Sequence, residues 1–544
     1  MKQIIKLSFA AAAMLSMTGC KKFIDVNQNV NALTTAPAEQ VFSGALAGTY
    51  DMQVSSNVNV TPGTWAGIYA HSTSFTGGGA EKTYDYTAAN FNAFTGLYDN
   101  LNDYEYVKRN ASGRTAFIAV PADVMQCYVF QMLVDLYGDV PYTQALKGVA
   151  NTTPKYDDAQ TIYTDLVKRL DTSIAQMART TWPQDASLTR TDVMFNLDKD
   201  KWIRFANTLK LRLLIRQSNI ASRQTYITTE INNTLNRGFL ESNAQIQPGY
   251  SNTAGKLNRF YSTYGLNEVG AVPSDNSNYN FRKMNAVIIN WLKTSITTTP
   301  PTRPSTTTPS ANASADTFRL QQLAAPRGLV PGDRPTPEAP NNYVGVPMGV
   351  TSGFANAASS SIGGFVITPF ESDRPGYLML AAESYFLQAE AALRYGITFN
   401  GMNDKALYEA GITAHFRTLA DPYSDASTSN EGDMYANWYY NRTTPLSRVD
   451  NINYDLSVSK LRAIGIQKWV SLVHINGLEA WSEYRRTNGF PTQVNVPQSP
   501  QTTDPSVVNP EPARYLIPQI ERNTNAGNVP QNQDRFAKLF WDVN

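Results

Sequence analysis

From Pro121 to Tyr142 the chain reads PADVMQCYVFQMLVDLYGDVPY, and the spacing of its apolar residues leaves little choice of structure. Met125, Tyr128, Val129, Met132, Leu133 and Leu136 fall at i, i+3, i+4, i+7, i+8 and i+11, one full stripe of an α-helix. Pro121 suits the first turn, where a missing N–H costs nothing. Gly138, with Pro141 just beyond, supplies the stop. A stripe this long must be buried against other helices.

Further segments repeat the pattern. DKDKWIRFANTLKLRLLIRQS places Trp202, Phe205, Ala206, Leu209 and Leu213 on one face, with Lys and Arg largely opposite. YLMLAAESYFLQAEAALRYG aligns Leu378, Ala381, Ala382, Tyr385, Ala389 and Ala392, and so many alanines permit close helix approach. NDKALYEAGITAHFRTLA follows after a short turn, giving a hairpin like a tetratricopeptide unit. DDAQTIYTDLVKRLDTSIAQM reads as one more helix. The fold predicted is mainly α, a tetratricopeptide-like helix-pair scaffold with long loop-rich insertions and a few short strands. VGVPMGV and GGFVITPF are the best strand candidates.

Between the helices run long irregular stretches, residues 56–90 and 240–280 among them. Connections of that length in a compact protein are functional or disordered. TTPPTRPSTTTPSANASADT (298–317) is a low-complexity insertion that buries too little apolar surface to offset its ordering entropy.

The N-terminus reads as an address. Lys2 and Lys6 precede an apolar run, Leu7 to Met17, of signal-peptide length and too short to span a bilayer. Met17-Thr18-Gly19-Cys20 resembles the bacterial lipobox, in which the Cys is lipidated and becomes the new N-terminus. Two or more acyl chains hold a protein firmly to a membrane where one does not. The organisation expected is a signal peptide at 1–19, a lipidated tether at 20–35 and one domain over 36–544. Cys127, inside the apolar helix, reads as a buried free thiol.

Lys plus Arg number 46 and Asp plus Glu 45, a balance that argues against a nucleic-acid partner. His71, His415 and His474 are the only histidines and have no metal-ligand spacing. Nucleophile elbows, P-loops and dinucleotide fingerprints are missing from the sequence. A calcium-loop imitation begins at Asp25 but fails, because Val30 replaces the required Gly and Ala36 the bidentate Glu. The chain is therefore read as a binding protein without catalytic residues, metal or cofactor. A secreted glycoside hydrolase stays as the alternative from another class, since paired carboxylates carry no sequence signature. Trp65, Tyr69, Phe75, Tyr84 and Tyr86 cluster in a Gly/Thr-rich stretch and are the candidate ligand-binding residues. An aromatic ring in a loop offers a flat face on which a sugar can stack.

Taken in order, several blocks resemble the SusD/RagB family of nutrient-binding outer membrane lipoproteins, in its SusD-like subgroup. These are CKKFIDVNQN at the lipidated start, LYGDVPYTQAL (136–146), WIRFANTLKLRLLIR and MLAAESYFLQAEAAL. IQKWVSLVHINGLEAWSEYRRTNGFP (466–491) and RYLIPQIERNTN (514–525) resemble the C-terminal signature. The resemblance implies a helical scaffold whose loops carry the ligand site. It also implies a SusC-like TonB-dependent barrel as partner, over which the lipoprotein sits as a hinged lid facing the cell exterior. The ligand implied is a glycan or oligosaccharide, with peptide as the alternative. Trp202, Trp469, Trp481, Arg485 and Arg486 are expected to serve helix packing.

Overall fold

The computed structural model describes residues 36–183, 185–293, 315–328, 340–363, 372–420, 431–441, 452–488, 511–531 and 533–543. Cys20 and its tether, most of the 298–317 tract and all but the first residue of GGFVITPF lie outside them.

Ten helices build the scaffold: α1 (Ala38–Gln53), α2 (Phe94–Asn110), α3 (Ala119–Tyr137), α4 (Ala159–Arg179), α5 (Lys199–Arg216), α6 (Ala381–Tyr395), α7 (Asp404–Ala420), α8 (Glu431–Tyr440), α9 (Lys460–Ser471) and α10 (Gly477–Arg486). Neighbours along the chain pack as hairpins from α1 through α5 and again from α6 through α8, with α6 set against α5 and α9 returning against α6. This is the expected mainly α, helix-pair architecture. One hydrophobic cluster runs through it from Ala38 to Trp541.

Local signals set the helix ends. Asp158 accepts the Thr161 N–H at 2.8 Å to open α4, and Asp198 accepts those of Asp200 and Lys201 at 3.1 Å to open α5. At the end of α3, Gly138 takes φ +81°, and a Cβ there would press on the Arg514 guanidinium. That is why the helix-ending motif needs glycine. α3 is buried on every side, Gln126, Gln131 and Asp135 included. With the preceding turn it is long and apolar enough to cross a membrane, yet it lies inside this core.

Three cations of α5, Lys210, Arg212 and Arg216, are buried, while Lys201 and Arg204 nearer its start stay partly exposed. Arg212 grips Glu383 of α6 with two bonds of 2.8 and 2.9 Å. Arg216 meets Glu479 of α10 at 2.5 Å and Asp135 of α3 at 3.4 Å. Further along, Arg486 holds Glu390 through both oxygens at 2.8 Å, and Lys468 holds Glu483 at 2.7 Å. This ionic spine joins α3, α5, α6, α9 and α10, so the face opposite the apolar stripe is a second interior surface. One expectation fails: Leu378 is not helical. It belongs to a strand, and α6 starts only at Ala381.

The strands are short and paired in twos: β1 (Tyr69–His71) with β5 (Arg282–Met284), β2 (Val140–Pro141) with β3 (Tyr156–Asp157), and β4 (Ala244–Ile246) with β6 (Gly376–Met379), all antiparallel. VGVPMGV contributes only an isolated bridge at Val346, with Asn285.

The loop-rich half is fixed to the helices at one point of close approach. A Cβ on Gly477, the first residue of α10, would collide with the Asn59 carbonyl oxygen. Asn59 Oδ1 also accepts the Gly477 N–H at 2.7 Å. Trp469 Nε1–H donates to Ala66 O at 2.9 Å beside it.

Candidate functional site

The β1–β5 pairing sets His71 opposite Arg282. Both reach Glu81 on the helical turn Gly79–Thr83. His71 Nε2 lies 2.5 Å from Glu81 Oε2, and Arg282 Nη1 lies 2.6 Å from the same oxygen. Thr61 Oγ1–H donates to the other carboxylate oxygen. Burial alone would raise the Glu81 carboxyl, but Arg282 and His71 outweigh it and hold it well below the usual range. His71 is pushed down by burial and by Arg282, with Glu81 opposing, so its ring is neutral near pH 7.

Three segments distant in sequence converge on this floor. The Ser72 N–H donates to Phe281 O at 2.9 Å, and the Thr73 N–H to Phe354 O at 2.9 Å. Phe354 N–H returns to Thr73 Oγ1 at 3.0 Å, and Asn356 N–H reaches Ser74 Oγ at 3.2 Å. The result is a rim carrying three half-buried phenylalanines, Phe75, Phe281 and Phe354. Phe75 meets Phe281 edge-on at 5.7 Å, and Arg282 lies 5.0 Å from the Phe281 ring centre. In the same segments Ser277 Oγ and Asn356 Oδ1 are buried without a hydrogen-bond partner. Such atoms cost about 1–3 kcal/mol each until satisfied.

Of the five aromatics read from the sequence, only Phe75 stands at this rim. Trp65, Tyr69, Tyr84 and Tyr86 are each 2% exposed or less. Trp65 ends a helical turn, stacks on Tyr86 at 5.5 Å and is enclosed by Tyr84, Phe91, Trp481 and Tyr515. Its indole N–H donates to Glu81 O at 3.1 Å. Tyr69 lies 3.1 Å from His474 Nδ1. Their faces are taken by other side chains, so none of the four offers a sugar a stacking surface in this arrangement. Phe281 and Phe354 escaped sequence reading because each is a lone Phe among Asn, Ser and Gly, and only the fold brings them together.

His415 and His474 are buried too, and burial pushes His474 down to about 4. Among the described residues no cluster of three or more His, Cys, Asp or Glu could hold a metal ion. Cys127 is a buried free thiol whose pKa burial raises to about 12. Trp202, Trp469, Trp481, Arg485 and Arg486 are buried, as a packing role requires.

The helix-pair scaffold has solved relatives. The model of the family described as starch-binding associating with outer membrane matches residues 30–295. That of the Susd and RagB outer membrane lipoproteins matches residues 329–538. The chain belongs to the SusD-like family. A chitin-binding SusD homologue from Flavobacterium johnsoniae is 23% identical with a TM-score of 0.67, the match covering 92% of this chain and 99% of that one. A SusD-like protein from Bacteroides thetaiotaomicron is 20% identical with a TM-score of 0.67, covering 93% and 99%. A SusD homologue from Bacteroides uniformis is 21% identical with a TM-score of 0.66, covering 94% and 100%. No curated protein matches.

Proposed function

We propose that the protein is a lipid-anchored, outward-facing nutrient receptor that captures a glycan on the rim of Phe75, Phe281 and Phe354. It then passes the glycan to a SusC-like TonB-dependent barrel. The observation that carries this reading is the edge-on pair of half-buried rings Phe75 and Phe281, with half-buried Phe354 tied to the same loop through Thr73, over the Glu81–Arg282 floor. Rings offer apolar faces to a pyranose. Trp65, Tyr69, Tyr84 and Tyr86 support the floor from beneath. Capture and release need no covalent chemistry, and the mature chain begins at Cys20, whose acyl groups hold it in the outer membrane. The chitin-binding relative makes β-linked N-acetylglucosamine chains the first ligand to try.

The test is depletion of the mature protein by insoluble chitin and by a panel of other polysaccharides and peptides. Phe281→Ala and Phe354→Ala are each expected to weaken binding about tenfold, the order of one lost ring contact, without lowering the melting temperature. Peptide-only retention would replace the glycan, released sugar would make the protein a hydrolase, and unchanged affinity in both variants would move the site elsewhere.

A further inference from the structure

A trough of about 480 Å³ opens between the end of α4 and the start of α5, sharing no residue with the rim. Its volume falls within the roughly 300–1,000 Å³ of small-molecule sites. Trp182 and Leu197 supply apolar lining, and Thr181, Asn196, Asp198 and Asp200 supply polar lining.

The trough is preformed. Asp192, fully buried, accepts the N–H groups of Met194, Phe195 and Leu197 and the indole N–H of Trp202 at 2.7–3.1 Å. Those bonds hold Asn196 and Leu197 at φ +53° and +60°, a left-handed pair that turns the chain along the trough wall. Trp182 is fixed from behind by Phe117, with ring centres 5.1 Å apart.

Two features point to a ligand. Trp182 is only 6% exposed, yet its indole N–H meets no acceptor among the described residues and is not among the sealed polar atoms, so it opens to the trough. The exposed Asp200 carboxylate likewise has no partner among the described residues, whereas Lys199 is tied to Thr180 O at 3.2 Å. The lining therefore mixes donors, at Trp182, Asn196, Thr181 and Lys199, with carboxylate, amide and hydroxyl acceptors.

We propose that this trough is a second binding site, for a neutral hydroxyl-rich ligand, namely a sugar unit of an oligosaccharide. A lysine or arginine side chain has only donors and leaves the Trp182 N–H unsatisfied. An anion is disfavoured, because Asp198 and Asp200 outweigh Lys199 in the lining. Two carboxylates fall short of the six to eight oxygens that calcium takes. A hydroxyl donates and accepts, and so answers both walls at once. On a polymer, a second contact raises the effective concentration at the first, so a chain released from one site is held by the other. The proposal stands on the trough alone and does not rest on the rim.

The test follows the indole N–H signals of the full chain, labelled with ¹⁵N at tryptophan, during titration with N-acetylchitohexaose, cellohexaose and maltohexaose. Trp182→Phe identifies the Trp182 signal by deleting it. That signal is expected to shift saturably with at least one hexasaccharide, and to do so equally in the Phe281→Ala/Phe354→Ala variant. Asp200→Asn is expected to weaken the Trp182 titration about tenfold, while calorimetry shows rim affinity unchanged. A Trp182 signal that ignores all three sugars, responds only to a lysine-rich peptide, or loses its response with the rim variant overturns the proposal. Loss of rim binding alone leaves the Trp182 response in place and counts only against the rim.

Discussion

The helical scaffold and the rim both bury charge, but they do so differently. In the scaffold, forked pairs such as Arg212–Glu383 and Arg486–Glu390 link helices face to face, each guanidinium matched to both oxygens of its carboxylate. At the rim one carboxylate, Glu81, serves His71, Arg282 and Thr61 together. The scaffold spreads its ionic load over five helices, and the rim concentrates it on a single residue. The first arrangement resists deformation, whereas the second lets three loops be positioned by one group.

The comparison breaks most visibly at Glu479. Glu479→Ala takes from buried Arg216 its nearer carboxylate and leaves only Asp135 at 3.4 Å, and is expected to cost about 3 kcal/mol, read as a lower midpoint of urea unfolding. If that variant loses less than about 1 kcal/mol, the spine is not what holds the scaffold.

Acid should act next. The chain's three histidines are all buried with their pKa values pushed down by desolvation, so the unfolded chain binds protons that the folded one refuses. Their contribution is present above the unfolded value of about 6.5 and is lost as pH falls. For His474 the loss runs from about 6.5 down to about 4 and totals on the order of 3 kcal/mol. Urea midpoints measured from pH 7 to pH 4.5 are expected to decline, and His474→Gln to flatten the decline. Glu81 adds a further loss below about pH 4.5, because its folded pKa is depressed.

The smallest effects sharpen the division of labour. Phe75→Ala is expected to weaken glycan retention several-fold with little change in melting temperature. Tyr84→Phe, beneath the rim, is expected to leave retention unchanged. The reverse result would return the ligand to the aromatics of residues 65–86.

Much of the scaffold was legible because helical periodicity is local. The stripe from Met125 to Leu136 and the Gly138 stop each announce themselves within a few residues. The spine was not legible for a physical reason: nothing local to a row of Arg and Lys names the carboxylates that arrive from other helices. Glu383 stands 171 residues from Arg212, and Glu479 stands 263 from Arg216. The rim was harder still. Thr73 and Phe354 are 281 residues apart, and nothing within either segment names the other. Aromatic density in residues 65–86 marks a core beneath the rim, since Trp65, Tyr69, Tyr84 and Tyr86 are all buried.

Trp541 has a consequence for how the chain comes to be folded. Its indole N–H reaches Asp135 Oδ1 at 3.1 Å across 406 residues, and its ring lies within 5.4 Å of the Arg216 guanidinium and 4.8 Å of that of Arg485. The spine therefore cannot close until almost the whole chain is available. Contacts of such separation require the loop-closure entropy to be met before they contribute. Folding is set to be slow and late, with helix hairpins forming first and waiting for their final wedge. The contact that locks the core is therefore among the last to be delivered.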